Sequence, residues 1–298
     1  MIKLALKNSN CKYYIQERCF TIIDGKDSIK HLNRIVTSDI TSIKDFESVE
    51  SLICEANGKI IDGLEINKIS GQILVISSPG RNEDVRKVFS SGIHWNEDVK
   101  IMNADNALDE ISIFSEGEKD IEQILDIKIE NQNGKQWKEN ENYYFQSLQM
   151  KKDCQVNILI PSNEVRNFTS MIEKRGVLLS NKEIWDSHRI ENGILSNVEF
   201  TSKFLPSEIG LDNIVDLKKG CYPGQEIHAR LESRGQTTKK IVRYYSKETL
   251  KLGDYRSDSG RKVKITSSSR KKGFAILNNK EPGKISLDGV GKITIEGL

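Results

Sequence analysis

The sequence lacks long apolar runs, internal repeats and clustered cysteines, and each absence excludes a class of protein. No apolar run approaches the roughly 20 residues that a helix needs to cross a bilayer. The first seven residues already carry two lysines, which is too much charge too soon for a signal peptide. The five cysteines are scattered and odd in number, without the spacing of a zinc or cluster site. We therefore expect a soluble, cytoplasmic protein with reduced thiols, no bound metal and no membrane partner.

Charge is distributed unevenly along the chain. Residues 239–272 contain twelve Lys or Arg against three acidic residues, a net charge of +9, whereas the whole chain carries only +2. Such a segment can meet the phosphates of a nucleic acid, so an RNA-binding module is one reading of this part of the chain. The alternative is the solvated, lysine-rich surface of a small β domain.

Apolar spacing predicts a mixed α+β protein. Helical periodicity marks four segments, and strand-like runs lie between them. After residue 235 the pattern changes to short alternating segments, which predict a small antiparallel barrel or sheet. We therefore predict a domain over residues 1–240 and a C-terminal β-barrel domain over 241–298. The predicted helices are 27–36, 83–89, 162–174 and 182–191; the predicted strands are 19–23, 50–55, 59–66, 73–77, 111–114, 157–160, 241–245, 263–266, 273–277, 284–287 and 292–295.

One thiol lies in a distinctive setting. Cys221 stands between Gly220 and Gly224, two residues before Pro223, in a motif that begins with two lysines. Glycine and proline favour a tight turn, and an amphipathic run begins just after it. If a helix begins at 224 or 225, its N-terminal N–H groups and the lysine charges would favour the thiolate. Cys221 is therefore a candidate reactive residue; the alternative is a small side chain that fills a turn.

The nine residues 218–226, KKGCYPGQE, carry a resemblance to a known family. Together with Ala229-Arg230 and Arg234-Gly235, they resemble the signature of the YgfZ family of folate-binding proteins, which is related to the aminomethyltransferase (T-protein) of glycine cleavage. Other segments of the family pattern follow in the expected order. They are residues 32–40, 58–62, 185–194 and 204–208, so that the resemblance spans about residues 20 to 240.

The resemblance implies a fold, a cofactor and a set of site residues. The fold is the aminomethyltransferase-like α+β fold, with subdomains around a central hole and a C-terminal barrel, and the cofactor is tetrahydrofolate or another reduced folate. Asp62 matches the family's first aspartate, whose carboxylate would lie in a dry cavity and exchange a proton with an amine. Glu191 matches the glutamate that accepts hydrogen bonds from the pterin ring. The motif residues are Lys219, Gly220, Cys221, Gly224, Gln225 and Glu226.

Each of these roles has a plainer alternative. Asp62 precedes a glycine and could be an ordinary hairpin turn residue, and Glu191 could be a helix charge facing water. Arg189 is either structural or a candidate for the folate glutamate tail, and Arg230 either binds an anion or pairs with a neighbouring carboxylate. His228 is expected to be a surface or core residue.

The thiol motif is absent from true aminomethyltransferases, so the resemblance implies the YgfZ branch. The implied function is a tetrahydrofolate-binding factor for the assembly or repair of iron–sulfur clusters. Its partners would be client or assembly proteins, including tRNA-modifying enzymes, and Cys221 and Asp62 would carry the chemistry. The enzymatic alternative, favoured by the presence of Asp62, is a folate-dependent aminomethyl or methyl transferase.

Overall fold

The computed structural model describes residues 10–129, 135–150, 153–200, 204–234, 239–278 and 283–298. Gly235, the last residue of the family pattern, lies outside the described residues. Within these ranges the helices are α1 (Ser28–Asn33), α2 (Asn82–Ser90), α3 (Glu118–Leu125), α4 (Val165–Lys174), α5 (Lys182–Asn192) and α6 (Gln225–Arg234). The strands are β1 (Lys12–Gln16), β2 (Cys19–Asp24), β3 (Glu47–Cys54), β4 (Ile60–Ile69), β5 (Gln72–Ser77), β6 (Lys100–Asn103), β7 (Leu108–Ser115), β8 (Lys135–Gln136), β9 (Lys138–Asn140), β10 (Tyr143–Gln149), β11 (Cys154–Pro161), β12 (Leu178–Leu179), β13 (Lys239–Tyr245), β14 (Gly253–Arg256), β15 (Lys262–Ser269), β16 (Lys272–Asn278), β17 (Lys284–Leu287) and β18 (Gly291–Gly297).

The predicted α+β class is confirmed, because these strands form three six-stranded sheets that pack with helices. The first sheet has the order β12-β1-β7-β11-β10-β9. Its apolar face packs against α3 and α4, which contribute Ile121, Ile124, Phe168 and Ile172 to a common core. These side chains recur three or four residues apart on each helix, which is the spacing that buries one helical face.

The second sheet has the order β6-β2-β5-β4-β3-β8. Strands β3 and β4 follow each other in the chain, and the turn between them contains Gly58 at φ 79°. Positive φ is accessible to glycine without steric cost. Along the first half of β4 the buried residues are Ile60, Asp62 and Leu64, which alternate as the side chains of one sheet face do. Asp62 therefore points to the same side as its apolar neighbours.

The third sheet, β14-β15-β16-β13-β18-β17, is formed entirely by the C-terminal segment and is antiparallel. It is curled, because an isolated bridge between Ser257 and Leu287 joins the ends of its two outermost strands. One face encloses a core that includes Tyr244, Val263 and Ile293. The predicted C-terminal antiparallel sheet is thus confirmed.

The chain separates into two compact units that interleave in sequence. The first contains Met1–Ile29, Ile40–Val49 and Glu65–Lys182, and the second contains Lys30–Asp39, Glu50–Leu64 and Glu183–Leu298. The C-terminal sheet belongs to the second unit, where Ile241, Phe274 and Ile276 share a core with Ile60 and Ile190. The predicted boundary at residue 240 coincides with the start of this sheet, and a separate C-terminal domain stays a prediction.

Candidate functional site

Cys221 is the most accessible thiol of the chain. Cys11, Cys19 and Cys54 are buried and Cys154 is half-buried, whereas Cys221 is exposed. It lies in the loop that precedes α6, four residues before the first residue of that helix. The prediction of a turn that leads into a helix at 224 or 225 is therefore confirmed, and the helix begins at Gln225. The preference of Cys221 for its thiolate form stays a prediction.

The side chain of Lys219 anchors this loop. Its Nζ donates hydrogen bonds to the carbonyl oxygens of Val36 and Ser38, both at 2.7 Å. It also lies 5.4 Å from the centre of the Tyr222 ring, which is a cation–π distance. Burial lowers the pKa of Lys219 to about 8, although the nearby charges of Asp39 and Asp216 act in the opposite direction. The ammonium group is thus used to hold the loop onto residues 36–38.

Two further side chains close the loop. Asp216 Oδ1 accepts hydrogen bonds from the backbone N–H groups of Lys218, at 2.7 Å, and Lys219, at 3.2 Å. Gln225 Nε2 donates to the carbonyl oxygens of Leu217 and Lys219, both at 3.3 Å. Gln225 therefore acts as a brace across the loop, which explains in physical terms why glutamine follows the second glycine of the motif.

The two motif glycines have different surroundings. Gly224 has φ 86°, and a Cβ atom there would lie 2.6 Å from the Cα of Gly58 and 2.9 Å from the carbonyl oxygen of Glu55. Real Cβ atoms do not come so close to backbone, so only glycine fits at 224. Gly220 has no heavy atom within 4 Å of the corresponding position. The second glycine thus allows the thiol loop to touch the β3–β4 turn.

His228 joins the same two segments. Its Nε2 lies 2.8 Å from the carbonyl oxygen of Gly58 and must donate to it, so Nδ1 accepts from the hydroxyl of Tyr222 at 3.5 Å. Burial lowers the pKa of the imidazole, which favours this neutral form. Burial also raises the pKa of the Tyr222 hydroxyl. The sequence indicated only a surface or core histidine, because its partner Gly58 lies 170 residues away.

Asp62 is fully buried on β4, although it carries a carboxyl group. Its Oδ1 accepts a hydrogen bond from the backbone N–H of Gly63 at 2.9 Å. The ring of Phe200 covers Gly63 so closely that a Cβ atom there would lie 2.8 Å from the ring. The Asp62 carboxyl is therefore buried on the strand that leaves the Gly58 turn, on the face of β4 that also carries Ile60 and Leu64.

Glu191 lies near the end of α5 and pairs with the C-terminal sheet. Its Oε2 is 2.7 Å from Nζ of Lys272 on β16, and the two side chains are only 16% and 20% exposed. Glu191 is thus not a charge facing bulk water. It is a partly buried carboxylate that already has a cationic neighbour.

Arg189 is buried and is surrounded by protein groups. Its Nε donates to Asp186 Oδ1 at 2.6 Å and its Nη2 donates to Ser267 Oγ at 2.8 Å. Nη1 lies 3.6 Å from Oε2 of Glu199, whose side chain is completely buried. These contacts match the structural alternative for Arg189, because they connect α5 to the C-terminal sheet.

Arg230 is exposed on α6 and pairs with exposed Glu226 at 2.9 Å, four residues earlier. Pairs of this kind are found on many solvent-facing helices.

Several cations of the basic segment 239–272 contact protein groups. They are Lys239 with Glu208, Arg243 with the Ile190 carbonyl, Lys264 over the Phe204 ring, Arg270 with Glu183, and Lys272 with Glu191.

Two features are absent from the described residues. None of the helices there is long and apolar enough to cross a membrane. No group of three or more His, Cys, Asp or Glu side chains in that part of the chain could hold a metal ion.

The site residues that the sequence predicted lie in two groups of the second unit. One contains Cys221, Lys219, Gly224, Gln225 and the Asp62 strand, and the other contains Arg189 and Glu191.

Comparison with known proteins identifies relatives of two kinds. The chain is 26% identical to an aminomethyltransferase of Clostridium botulinum over 37% of its length. It is 23% identical to the tRNA-modifying protein YgfZ of Aliivibrio fischeri over 71% of its length, and 26% identical to that of Buchnera aphidicola over 73%. The resemblance to YgfZ proteins and to aminomethyltransferases is thus confirmed. No protein-family model matches the chain.

The matches cover only part of these relatives. The chain spans 30% of the length of the Clostridium botulinum aminomethyltransferase, and 63% and 67% of the two YgfZ proteins. The fold match is more extensive. The crystal structure of the glycine cleavage system aminomethyltransferase T from Bartonella henselae matches 98% of this chain and 86% of that protein, with a TM-score of 0.80 and 12% identity. The chain therefore has the aminomethyltransferase fold, as predicted.

Replacement of Gly224 by alanine tests the contact between the loop and the turn. Because the new Cβ would clash with Gly58 and φ is positive, we expect Gly224→Ala to lower the free energy of unfolding by about 2–5 kcal/mol. Gly220→Ala is the matched control and should change it by no more than about 0.5 kcal/mol. Urea unfolding of both variants measures this, and equal effects of the two would contradict the assigned contact.

The contributions of Arg189 and Arg230 to stability can also be compared by substitution. Arg189→Met leaves the carboxylates of Asp186 and Glu199 without their buried partner, so we expect a loss of about 3–5 kcal/mol. Arg230→Met removes only an exposed helical pair and should cost at most about 0.5 kcal/mol. Urea unfolding at pH 7 gives both values. A small effect of Arg189→Met would show that its ion pairs do not stabilise the fold.

Lys219 should make the free energy of unfolding depend on pH in the alkaline range. Its pKa falls from 10.5 to about 8 on folding, so between these values the unfolded chain holds a proton that the folded protein lacks. Stability contributed by this group therefore rises with pH through that window. We expect the unfolding free energy of the wild type, relative to Lys219→Met, to increase by about 1 kcal/mol between pH 7.5 and 9.5. Guanidinium unfolding at the two pH values measures it; a difference that is constant or shrinks contradicts the assignment.

Proposed function

We propose that this relative of the YgfZ proteins and the aminomethyltransferases binds a reduced folate and presents the Cys221 thiol to partner proteins that carry iron–sulfur clusters. The observation that carries the proposal is that Lys219, Gln225 and Gly224 hold the loop in place while the Cys221 thiol stays exposed. Lys219 and Gln225 are engaged within the loop, Gly224 touches the neighbouring turn, and Cys221 is left exposed. A loop fixed in this way holds one thiol in position for another molecule.

An exposed thiol on a rigid loop suits transient chemistry with a partner. Thiolates are soft ligands for iron and act as nucleophiles, whereas buried thiols are inert. When a cysteine binds a metal, the metal replaces the thiol proton, which is released to solvent. Cys221 can therefore bind an iron ion. Its thiolate can also attack the outer sulfur of a partner's persulfide, so that a new S–S bond forms at Cys221 while the old S–S bond breaks and the partner's thiolate leaves. The three buried cysteines are not accessible to such partners.

The residues present are compatible with a reduced folate. Asp62 offers a buried carboxylate on the face of β4 that carries Ile60 and Leu64, and Glu191 offers a mostly buried carboxylate that can accept paired hydrogen bonds from an amino-pyrimidinone edge. A bound reduced folate supplies amine nitrogens that carry one-carbon units. Glu191 would then share its charge between the ligand and Lys272. Because Asp62 has no exposed surface, a ligand that reaches it must displace a covering group.

The transferase alternative uses the same folate but does not need the thiol. Asp62 is present and supports it, and the aminomethyltransferase fold supports it equally. The cysteine loop favours the factor over the enzyme, because six hydrogen bonds and a glycine contact hold a thiol for which a transferase has no use. We therefore rank the factor first.

The names of the YgfZ relatives connect them to tRNA modification. We assign this role to client enzymes rather than to direct RNA binding by this chain. The reason is that five of the twelve cations of the basic segment contact protein groups; they are Lys239, Arg243, Lys264, Arg270 and Lys272.

Calorimetry with 5-formyltetrahydrofolate, followed by complementation of a deletion strain, tests the proposal. Cys221→Ser should bind the folate within about twofold of the wild type yet fail to restore the activity of iron–sulfur enzymes. Asp62→Asn, which keeps the shape but removes the charge, should lose at least about tenfold in affinity, or 1.4 kcal/mol.

Three results would contradict it. Absence of folate binding by the wild type would show that a reduced folate is not its cofactor. Full complementation by Cys221→Ser would remove the thiol from the function. Turnover of an aminomethyl donor to methylenetetrahydrofolate by the purified wild type would favour the transferase instead.

A further inference from the structure

We propose that the β3–β4 turn links the Asp62 strand mechanically to the Cys221 loop, with His228 as the positioning residue, so that folate binding at Asp62 changes the reactivity of the thiol. The identity of the ligand depends on the proposed function. The link itself depends only on contacts within the second unit.

The turn is a stiff element. Glu55 N donates to Lys59 O at 2.8 Å, Gly58 N donates to Glu55 O at 2.9 Å, and Lys59 N donates to the side chain of Asn57 at 3.0 Å. Asp62 follows three residues after Lys59 on the strand that leaves this turn. A displacement of the strand near Asp62 is therefore passed to Gly58 rather than absorbed by a slack loop.

The turn meets the thiol loop backbone to backbone. At Gly224 a Cβ would lie 2.6 Å from Gly58 Cα, and at Gly58 a Cβ would lie 3.0 Å from His228 Nε2 and 3.1 Å from Ile227 Cβ. No flexible side chain separates the Gly58 and Gly224 backbones. Packed protein responds to such displacement by moving as a body, because there is no free volume to take it up. Gly224 lies three residues from Cys221, so movement of Gly58 must displace the thiol loop.

His228 allows the turn to move the thiol loop both when the two approach and when they separate. The glycine contact can only push, whereas the hydrogen bond from His228 Nε2 to Gly58 O, at 2.8 Å, resists separation. The other ring nitrogen faces the hydroxyl of Tyr222, the residue next to Cys221, at 3.5 Å. A single imidazole thus bridges the turn and the thiol loop.

Alkylation of Cys221 by iodoacetamide, followed by mass spectrometry of its peptide, measures the link. In the wild type, saturating 5-formyltetrahydrofolate should change the Cys221 rate at least threefold, while the rate of Cys154 serves as the internal reference. In His228→Leu this ligand effect should vanish although folate still binds. His228→Gln, whose amide can donate to Gly58 O, should retain it, and His94→Leu, in an exposed turn of the other unit, is the matched control.

A second arm needs no folate. Hydrogen exchange of the 55–60 amides should be faster in His228→Leu than in the wild type, and the Cys221 rate should change at least threefold, with His228→Gln and His94→Leu close to wild type. Faster exchange at the turn with an unchanged Cys221 rate overturns the proposal.

The two arms separate failure of the link from failure of the proposed function. If calorimetry shows folate binding but the wild-type Cys221 rate does not respond to it, the link is wrong. If no folate binds, the proposed function fails and the second arm alone decides the link. If His228→Leu does not fold, the wild-type response to folate and the His228→Gln variant still decide it.

Discussion

The close approach of Gly224 to Gly58 is the contact on which the candidate site depends. It requires glycine at 224, because a Cβ there would lie 2.6 Å from Gly58 Cα and because φ is positive. With the two backbones in contact, the thiol loop and the Asp62 strand become neighbours. Lys219 and His228 then fix the loop from two sides, through the carbonyl groups of Val36 and Ser38 and of Gly58. Polar side chains here serve as anchors, and the cysteine is left for chemistry.

Buried charge plays a similar anchoring role around Arg189. Its guanidinium joins Asp186 on its own helix, Glu199 and Ser267 on β15, while the neighbouring Glu191 pairs with Lys272. Ion pairs in such dry surroundings are costly to break because each partner loses its compensation. Arg189 and Glu191, which the sequence predicted as ligand contacts, therefore also hold α5 against the C-terminal sheet.

The sequence predicted much of the fold because many elements depend on local information. α2 and α4 each bury apolar side chains at helical spacing, and α5 buries Trp185 and Ile190, so periodicity predicted them. The strands of the C-terminal sheet are short segments rich in apolar residues, and β13 buries four residues in succession. It did not predict α3, although Ile121, Ile124 and Leu125 have helical spacing, because the segment is short and mostly polar. The site was predicted through its motif, yet His228 and Gly58 are 170 residues apart, and no local pattern reports such a contact.

The interleaving of the two units has a consequence for how the protein can change over evolution. The chain passes from one unit to the other five times, and residues 30–39 and 50–64 supply the anchoring carbonyls, Gly58 and Asp62 to a unit formed mainly by residues 183–298. Neither half can be exchanged, duplicated or lost as a module without dismantling the thiol loop. A change of residues 50–64 therefore acts on the acid strand and, through Gly58, on the cysteine loop at once.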